Sequence, residues 1–284
     1  MTIALIGATG QLGSALAARW QPDVVCLDRT RLDLTDRRQV HSVLESLRPD
    51  IVVNAAAYNQ VDQAEQHPLT ACTINALGPR YLAEYCAQQD VRLVHFSSDY
   101  VFGNDELRHR PYSEKDLPGP LSAYGTSKLA GESFVQGLCP RHFVLRTCGL
   151  YGQASNPERN NFVKTMLRLA KQGQPIRVVD DQLCTPTSVE SLADAVCRLL
   201  ETDRYGLYHA TNTGQATWRD FAQAIFELME IPMEVAPITS AEFGAQAKRP
   251  SYSVLDCGKL ARVIGGPLPN WELALRQHLG CARS

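Results

Sequence analysis

The sequence predicts an α/β fold in which a doubly wound parallel sheet is followed by a smaller C-terminal lobe. Three observations support this prediction. Short apolar runs alternate with helical patterns through the first half of the chain, a glycine-rich turn joins the first run to the first helical pattern, and the alternation changes beyond Tyr151. The apolar runs are rich in Val, Ile and Leu, as is typical of strands buried on both faces of a sheet.

The elements of the first half follow one another at the spacing of right-handed strand–helix–strand crossovers. The predicted strands are Ile3–Ile6, Val24–Leu27, Ile51–Asn54, Leu93–Ser97 and Phe143–Arg146. The predicted helices are Gln11–Trp20, Asp36–Leu47, Leu69–Gln88 and Tyr124–Gln136.

Beyond Tyr151 the pattern is less regular. We expect helices at Asn160–Gln172 and Val189–Leu200, strands at Ile176–Val179 and Gly206–Ala210, and a tail from about Gly214 without regular alternation. We group residues 1–150 and about 175–213 into one domain, and about 151–174 with 214–284 into the smaller lobe. That lobe is expected to close over the carboxyl edge of the sheet, where ligands of open α/β folds bind.

Composition excludes several classes of protein. The 284 residues are 44% apolar and 20% charged, with a formal net charge of −2, so there is no basic footprint for nucleic acid or an anionic membrane. No apolar run approaches the roughly 20 residues that span a bilayer, and no signal peptide is evident, so we expect a cytoplasmic protein. The nine cysteines include no Cys-x-x-Cys pair and the seven histidines show no ligand spacing, so we predict no disulfide framework and no metal.

The turn Gly7-Ala8-Thr9-Gly10-Gln11-Leu12-Gly13 follows the first strand and opens a helix, as in Rossmann-type dinucleotide-binding domains. A pyrophosphate requires close approach of the backbone, and it gains from the unpaired N–H groups of a helix N-terminus. We therefore predict cofactor contacts from Gly7, Thr9, Gly10, Gln11, Leu12 and Gly13. The alternative is a turn that only packs the helix against the strand.

The end of the second strand carries candidates for the adenosine end of a dinucleotide. Asp28 is placed to accept both ribose hydroxyls, which favours NAD, whereas Arg29 favours the 2′-phosphate of NADP. Asp33 and Leu34 are candidates to flank the adenine, with a surface turn as the alternative. The sequence therefore predicts NADPH or NADH and does not choose between them.

The third strand ends in small residues, Ala55, Ala56 and Ala57, followed by Tyr58. Small side chains at this edge would let a cofactor lie against the sheet, so these four residues are also predicted cofactor contacts. A tightly packed strand end is the alternative, and the two are compatible.

Tyr124 and Lys128 form the strongest chemical signal. Their spacing of four residues places a phenol and an ammonium on one helix face, and a nearby ammonium lowers the pKa of a phenol. Ser98 and Asp99 end the preceding strand, where active-site groups gather. We predict that Ser98 polarises a substrate carbonyl and that Asp99 accepts from a substrate hydroxyl, although both residues also suit a turn.

At these residues the chain resembles the extended short-chain dehydrogenases, and more narrowly the dTDP-4-dehydrorhamnose reductase family. The similarity covers nearly the whole chain, and the segments SSDYVF and VDDQLCTPT are specific beyond the superfamily. The matching segments are Gly7–Gly13, Pro49–Glu65, Leu93–Phe102, Ser122–Glu132, Asn160–Ala170, Val178–Thr187 and Arg249–Leu260.

The resemblance implies reduction of the 4-keto group of a dTDP-linked 6-deoxy-4-keto sugar, dTDP-4-dehydrorhamnose first, by NADPH or NADH to give dTDP-L-rhamnose. Tyr124 would donate the proton, Lys128 would hold the nicotinamide ribose and lower the pKa of Tyr124, and Ser98 would bind the keto oxygen. The smaller lobe would bind the sugar nucleotide. The resemblance to this family also implies a homodimer.

Two positions depart from the family pattern. The family typically has tryptophan facing the substrate where this chain has Gly149, after Arg146-Thr147-Cys148. Near the C-terminus Arg249 is kept as a candidate for the diphosphate, with a surface ion pair as the alternative, but Tyr252 replaces the usual asparagine and is a candidate to fill the volume left at Gly149. The predicted substrate contacts are therefore Ser98, Asp99, Tyr124, Gly149 and Arg249.

Three alternatives stay open from the sequence. The first is a reductase of another nucleotide-linked keto sugar, motivated by Gly149. The second is a non-catalytic NADP-binding regulatory subunit, which would not need Ser98, Tyr124 and Lys128 together. The third is an epimerase or dehydratase of the same superfamily, and Tyr100 in place of a second acid after Asp99 weighs against dehydration.

Overall fold

A computed structural model describes residues 1–156 and 160–281. The strands are β1 (Ile3–Ile6), β2 (Val24–Leu27), β3 (Ile51–Asn54), β4 (Arg92–Ser98), β5 (His142–Thr147), β6 (Leu150–Tyr151), β7 (Ile176–Val179), β8 (Leu183–Cys184), β9 (Thr187–Ser188), β10 (Gly206–His209), β11 (Ala216–Thr217) and β12 (Val235–Ile238). The helices are α1 (Gln11–Trp20), α2 (Arg37–Leu47), α3 (Val61–Gln66), α4 (Pro68–Cys72), α5 (Gly78–Gln88), α6 (Ala123–Leu138), α7 (Phe162–Lys171), α8 (Val189–Leu200), α9 (Trp218–Leu228), α10 (Ser240–Phe243), α11 (Gly258–Ile264) and α12 (Trp271–His278).

The centre of the fold is a six-stranded parallel sheet in the order β10-β5-β4-β3-β1-β2. One face packs on α1, α8 and α11, whose core residues include Leu16, Val196 and Leu260. The other face packs on α2, α5 and α6 through residues such as Leu44 and Leu82. Helices on both faces of a parallel sheet confirm the predicted doubly wound α/β class.

The predicted helix Leu69–Gln88 is divided in the structure. A π-helical turn at Thr73–Leu77 separates α4 from α5. Pro79 has no N–H to donate to the carbonyl four residues earlier, so a regular α-helix cannot continue through this point. The turn places Asn75 in the interior beside the end of β3, which matters for the site described below.

The second lobe has its own small core. The strands β7 and β12 pair in parallel, and α7, α9 and α12 pack on them through residues such as Val163, Phe221 and Leu275. We grouped residues about 175–213 with the first domain, and β7 departs from this grouping because it pairs with β12 outside the central sheet. The rest of the segment agrees better, since β10 is a strand of the central sheet and α8 packs on its face. The predicted lobe also includes residues 157–159 and 282–284, which lie outside the described residues.

The tail from Gly214 contains more helices and strands than its irregular sequence pattern indicates. It contains β11, β12 and α9–α12. A capping box between Thr217 and Asp220 begins α9, and this local signal was available in the sequence. Among the residues that the structure describes, no helix is long and apolar enough to cross a membrane.

Candidate active site

A cleft of about 460 Å³ lies at the carboxyl edge of the central sheet, between the sheet and the second lobe. Its lining brings together most of the predicted residues. These are Gly10, Gln11, Leu12, Ala55, Ala56, Ala57, Ser98, Asp99, Tyr124, Lys128 and Gly149. Parallel strands gather their carboxyl ends at one edge, which explains why residues distant in sequence meet there.

Two of the three glycines of the first turn are needed for packing, and the third faces the cleft. Gly7 has φ +80°, and a Cβ at this position would lie 2.6 Å from the Ala56 nitrogen; a Cβ on Gly13 would lie 2.2 Å from the Gly7 oxygen. Both glycines are therefore required by packing. Gly10 lines the cleft, and within residues 1–156 and 160–281 no side chain caps the N-terminus of α1 that it precedes. The N–H groups and positive dipole end of this helix are suited to a pyrophosphate.

The residues after β2 lie outside the cleft lining. Oδ1 of Asp28 accepts hydrogen bonds from the Thr30 N–H and Oγ1, at 2.9 and 2.6 Å, and also from the Arg31 N–H. The Thr30 hydroxyl is the main cause of a lowered Asp28 pKa. The carboxylate thus shapes its own loop, as expected for an aspartate turn.

Three residues that follow Asp28 differ in their exposure and contacts. Arg29 is 80% exposed and lies 3.8 Å from Asp33. Asp33 accepts from the Thr35 N–H and hydroxyl, which matches the turn alternative. Leu34 is buried in the core beneath α2 and α5, so the structure does not bring it to the cleft.

The end of β3 is held by two buried amides. The Asn75 side chain accepts from the Tyr58 N–H at 2.8 Å and donates to the Tyr58 carbonyl and to the Ser127 hydroxyl. Asn54 accepts from the Ala56 N–H at 3.2 Å. Tyr58 is therefore held by its backbone and is not part of the cleft lining. No sequence pattern indicates Asn75, because only the π-helical turn brings it here.

Tyr124 and Lys128 both face the cleft from α6, as predicted. Burial raises the pKa of Tyr124 to about 12, and a hydrogen bond with Ser98 opposes this shift. Lys128 is only 2% exposed, and its ammonium donates a hydrogen bond to the Phe96 carbonyl at 2.6 Å. Burial lowers the pKa of Lys128 to about 8, against the opposing charge of Glu132. The predicted lowering of the Tyr124 pKa is therefore wrong for this state, because burial of the phenol dominates.

Asp99 is buried among hydrogen-bond donors. The hydroxyls of Ser98 and Ser253 donate to its two oxygens at 3.0 and 2.6 Å, and the Cys148 thiol is a third partner. Burial nevertheless raises the pKa of Asp99. Ser98 also accepts from the Tyr100 N–H at 3.1 Å. Asp99 is thus a positioning group for Ser98 in this structure, in addition to lining the cleft.

Arg249 is held outside the cleft lining. Its guanidinium makes a bidentate pair with Asp62 of α3, at 2.8 and 3.1 Å. Arg249 therefore forms the ion pair that was the alternative to a diphosphate contact. Tyr252 likewise does not fill the space beside Gly149, because it is buried in a separate cluster with Phe102 and Tyr112.

Two buried hydroxyls in the cleft have no hydrogen-bond partner among the residues that the structure describes. These are Ser97 Oγ at the end of β4 and Thr147 Oγ1 at the end of β5. A buried hydroxyl without a partner costs free energy, so both are suited to bind a polar ligand. Together with the N-terminus of α1 and the small residues after β3, they fit a dinucleotide.

A doubly wound sheet with a tyrosine–lysine pair at its dinucleotide-binding edge defines the class of extended short-chain dehydrogenases, which are NAD(P)-dependent oxidoreductases. Comparison with known proteins narrows this class. A model of the RmlD substrate binding domain family matches residues 1–283. The chain belongs to this family.

Individual relatives agree with this assignment. A dTDP-4-dehydrorhamnose reductase of Sinorhizobium fredii is 40% identical over 98% of this chain and 96% of that protein. A probable dTDP-4,6-dihydroxy-2-methyloxan-3-one 4-ketoreductase of Streptomyces antibioticus is 41% identical, over 96% of this chain and 92% of that protein. A solved dTDP-4-dehydrorhamnose reductase of Bacillus anthracis, in complex with NADP, has a TM-score of 0.93 at 40% identity, covering 98% of this chain and 99% of that chain.

Proposed function

We propose that this protein reduces the 4-keto group of a nucleotide-linked 6-deoxy-4-keto sugar, with dTDP-4-dehydrorhamnose as substrate and dTDP-L-rhamnose as product. The observation that carries the proposal is the meeting of Ser98, Tyr124 and Lys128 in one cleft with the uncapped N-terminus of α1. Relatives with this activity in their names are similar over nearly the full chain.

Each polar group has a defined task in this reaction. The chemistry that the nicotinamide cofactor supplies when bound is hydride transfer to C4. Tyr124 has a pKa of about 12, so it carries its proton at neutral pH and donates it to the oxygen at C4. Ser98 would donate its single hydroxyl hydrogen to this oxygen in place of Asp99 Oδ1, which accepts it in this structure. The Tyr100 N–H keeps the Ser98 hydroxyl in position, Ser253 does the same for Asp99, and the Lys128 ammonium would hold the ribose next to the nicotinamide.

NADPH is the cofactor that the loop after β2 favours. The Asp28 carboxylate accepts hydrogen bonds from its own loop, whereas the guanidinium of Arg29 is exposed and only loosely paired with Asp33. A guanidinium at this position suits a 2′-phosphate. The NADP complex of the Bacillus anthracis relative supports the same choice.

The deciding experiment follows the oxidation of NADPH and NADH at 340 nm with enzymatically generated dTDP-4-dehydrorhamnose. We expect saturable turnover with a higher kcat/KM for NADPH. Cofactor binding without turnover would refute dTDP-4-dehydrorhamnose as the substrate and leave a different keto sugar or a regulatory subunit. A homodimer, which is expected from family resemblance alone, is tested by sedimentation of the same sample.

A second candidate is reduction of a different nucleotide-linked keto sugar. It is favoured by Gly149, which itself contributes no side chain to the cleft, and by the similarity to the ketoreductase of Streptomyces antibioticus. Turnover of such a sugar with a kcat/KM above that of dTDP-4-dehydrorhamnose would establish it.

A further inference from the structure

The wall of the cleft beside Gly149 is formed by the indole of Trp218. Gly149 has φ +52°, and a Cβ built on it would lie 3.4 Å from Cη2 of Trp218 and 3.3 Å from Cα of Pro186. Because glycine has no Cβ, this edge of the indole is left uncovered on the side of the cleft. Trp218 lines the cleft and is only partly buried.

The core of the second lobe holds the indole in place. Trp218 is the first residue of α9 and lies between the two capping-box residues Thr217 and Asp220. Its ring centroid lies 4.9 Å from that of Phe162, the first residue of α7. Phe162 in turn stacks on Phe221 at 5.4 Å. An aromatic side chain fixed in this way presents a rigid apolar surface at little entropic cost.

The position of this wall identifies the part of the substrate that meets it. Gly149 follows Thr147 by two residues, and Thr147 pairs with Ser98 across β4 and β5. Ser98 and Tyr124 line the same cleft, so the wall adjoins the place proposed for the reacting carbonyl. In a 6-deoxy-4-keto hexose, the apolar group next to that carbonyl is C5 with its methyl substituent.

We infer that Trp218 is a specificity-determining residue that packs against the C5–C6 side of the hexose and selects 6-deoxy sugars over sugars with a 6-hydroxyl. The inference rests on the proposed function. A hydroxyl placed against the ring edge would lose its water without gaining a partner, whereas a methyl group gains apolar contact.

The test measures binding of dTDP-D-glucose and of its 6-deoxy counterpart by calorimetry, with NADP present. These two ligands differ by a single oxygen atom. The wild-type protein should bind the 6-deoxy ligand about tenfold more tightly or better, and Trp218→Ala should reduce this ratio to about threefold or less. Trp218→Phe, which keeps a ring against Phe162, should give an intermediate ratio. Trp20→Phe, on α1 and away from the cleft, is the matched control and should behave as the wild type.

The outcomes separate the two proposals. A wild-type ratio in folded Trp218→Ala, or equal affinities in the wild type, would overturn the role of Trp218 even if dTDP-4-dehydrorhamnose is turned over. If the wild type binds neither ligand and does not turn over that substrate, the proposed function fails first. Thermal unfolding and NADP affinity of each variant show that the cleft is intact.

Discussion

At the scale of single residues, burial controls the chemistry of the cleft more than the pairing of charges does. The phenol of Tyr124 keeps its proton because it is buried, and the ammonium of Lys128 is directed to a backbone carbonyl. A tyrosine that is protonated at neutral pH suits the acid role proposed for Tyr124 in reduction of a ketone.

Replacement of Tyr124 by phenylalanine removes the proposed acid and leaves the ring. We expect kcat to fall by about 10²–10⁴-fold, the usual contribution of a positioned general acid, while NADPH affinity is kept. Steady-state kinetics and fluorescence titration of NADPH measure the two quantities. Tyr81→Phe, on α5, is the control. Turnover near the wild-type rate in Tyr124→Phe would exclude this residue from the mechanism.

The lowered pKa of Lys128 predicts a pH dependence. Burial lowers this pKa to about 8, so the free enzyme carries the ammonium below pH 8 and loses it above. Because kcat/KM reports ionisations of the free enzyme, it should decline with an alkaline midpoint near 8. In Lys128→Arg the positive charge persists, and any remaining activity should lack this limb. A kcat/KM that stays flat to pH 10 would contradict the assignment.

At the scale of elements, α7 connects the second lobe to the glycine turn. Asn161 caps this helix by accepting from the Lys164 N–H at 2.9 Å. Its amide nitrogen also donates to the Gln11 side chain at 2.7 Å and to the Gly152 carbonyl at 2.8 Å. One side chain therefore joins a helix cap to a residue of the cleft lining.

Two substitutions separate these functions of Asn161. Asn161→Asp keeps the cap but cannot donate to Gln11, whereas Asn161→Ala loses both. We expect Asn161→Ala to lower the free energy of unfolding by about 1 kcal/mol, the usual contribution of a cap, and Asn161→Asp to cost less. Both should raise KM for NADPH, measured with stability from urea titrations. An unchanged KM in both variants would show that the contact with Gln11 does not organise the cofactor site.

Elements with strong local periodicity were predicted well, and elements that depend on context were not. The bounds of α1, β1, β2 and β3 agree with the predictions because their apolar residues alone define them. The π-helical turn and the pairing of β7 with β12 depend on partners distant in sequence, which single-sequence patterns do not report. The helix α7 of the second lobe lies within the predicted helix Asn160–Gln172, whereas α9 to α12 were not predicted.

At the scale of the whole molecule, two buried histidines make stability depend on pH. His209 is fully buried beside Arg146; burial and this charge lower its pKa to about 3. Burial, followed by the charge of Lys128, also lowers the pKa of His95 well below its usual value. Both side chains stay neutral in the folded state while the unfolded chain binds protons below about pH 6.5.

The sign of the effect follows from this difference in bound protons. The unfolded state binds more protons, so the free energy of unfolding should decrease as pH falls from 6.5 to 4.5, by up to about 1.4 kcal/mol per pH unit for each histidine. Urea unfolding across this range measures the slope. His209→Asn keeps a donor to the Tyr112 carbonyl and should give a shallower slope; parallel slopes would refute the contribution of His209.

The sequence by itself determined the α/β class, the glycine turn at the first crossover and the Tyr124–Lys128 pair, because each is written in residues close together along the chain. Only the tertiary structure decided that Gly7 and Gly13 serve packing while Gly10 faces the cleft, that Leu34 and Arg249 lie outside the cleft lining, and that Trp218 stands beside Gly149. The tertiary structure likewise decided that the pKa of Tyr124 is raised, because burial causes the shift. Burial and contacts between distant segments arise only when the chain packs, so a local pattern cannot specify them.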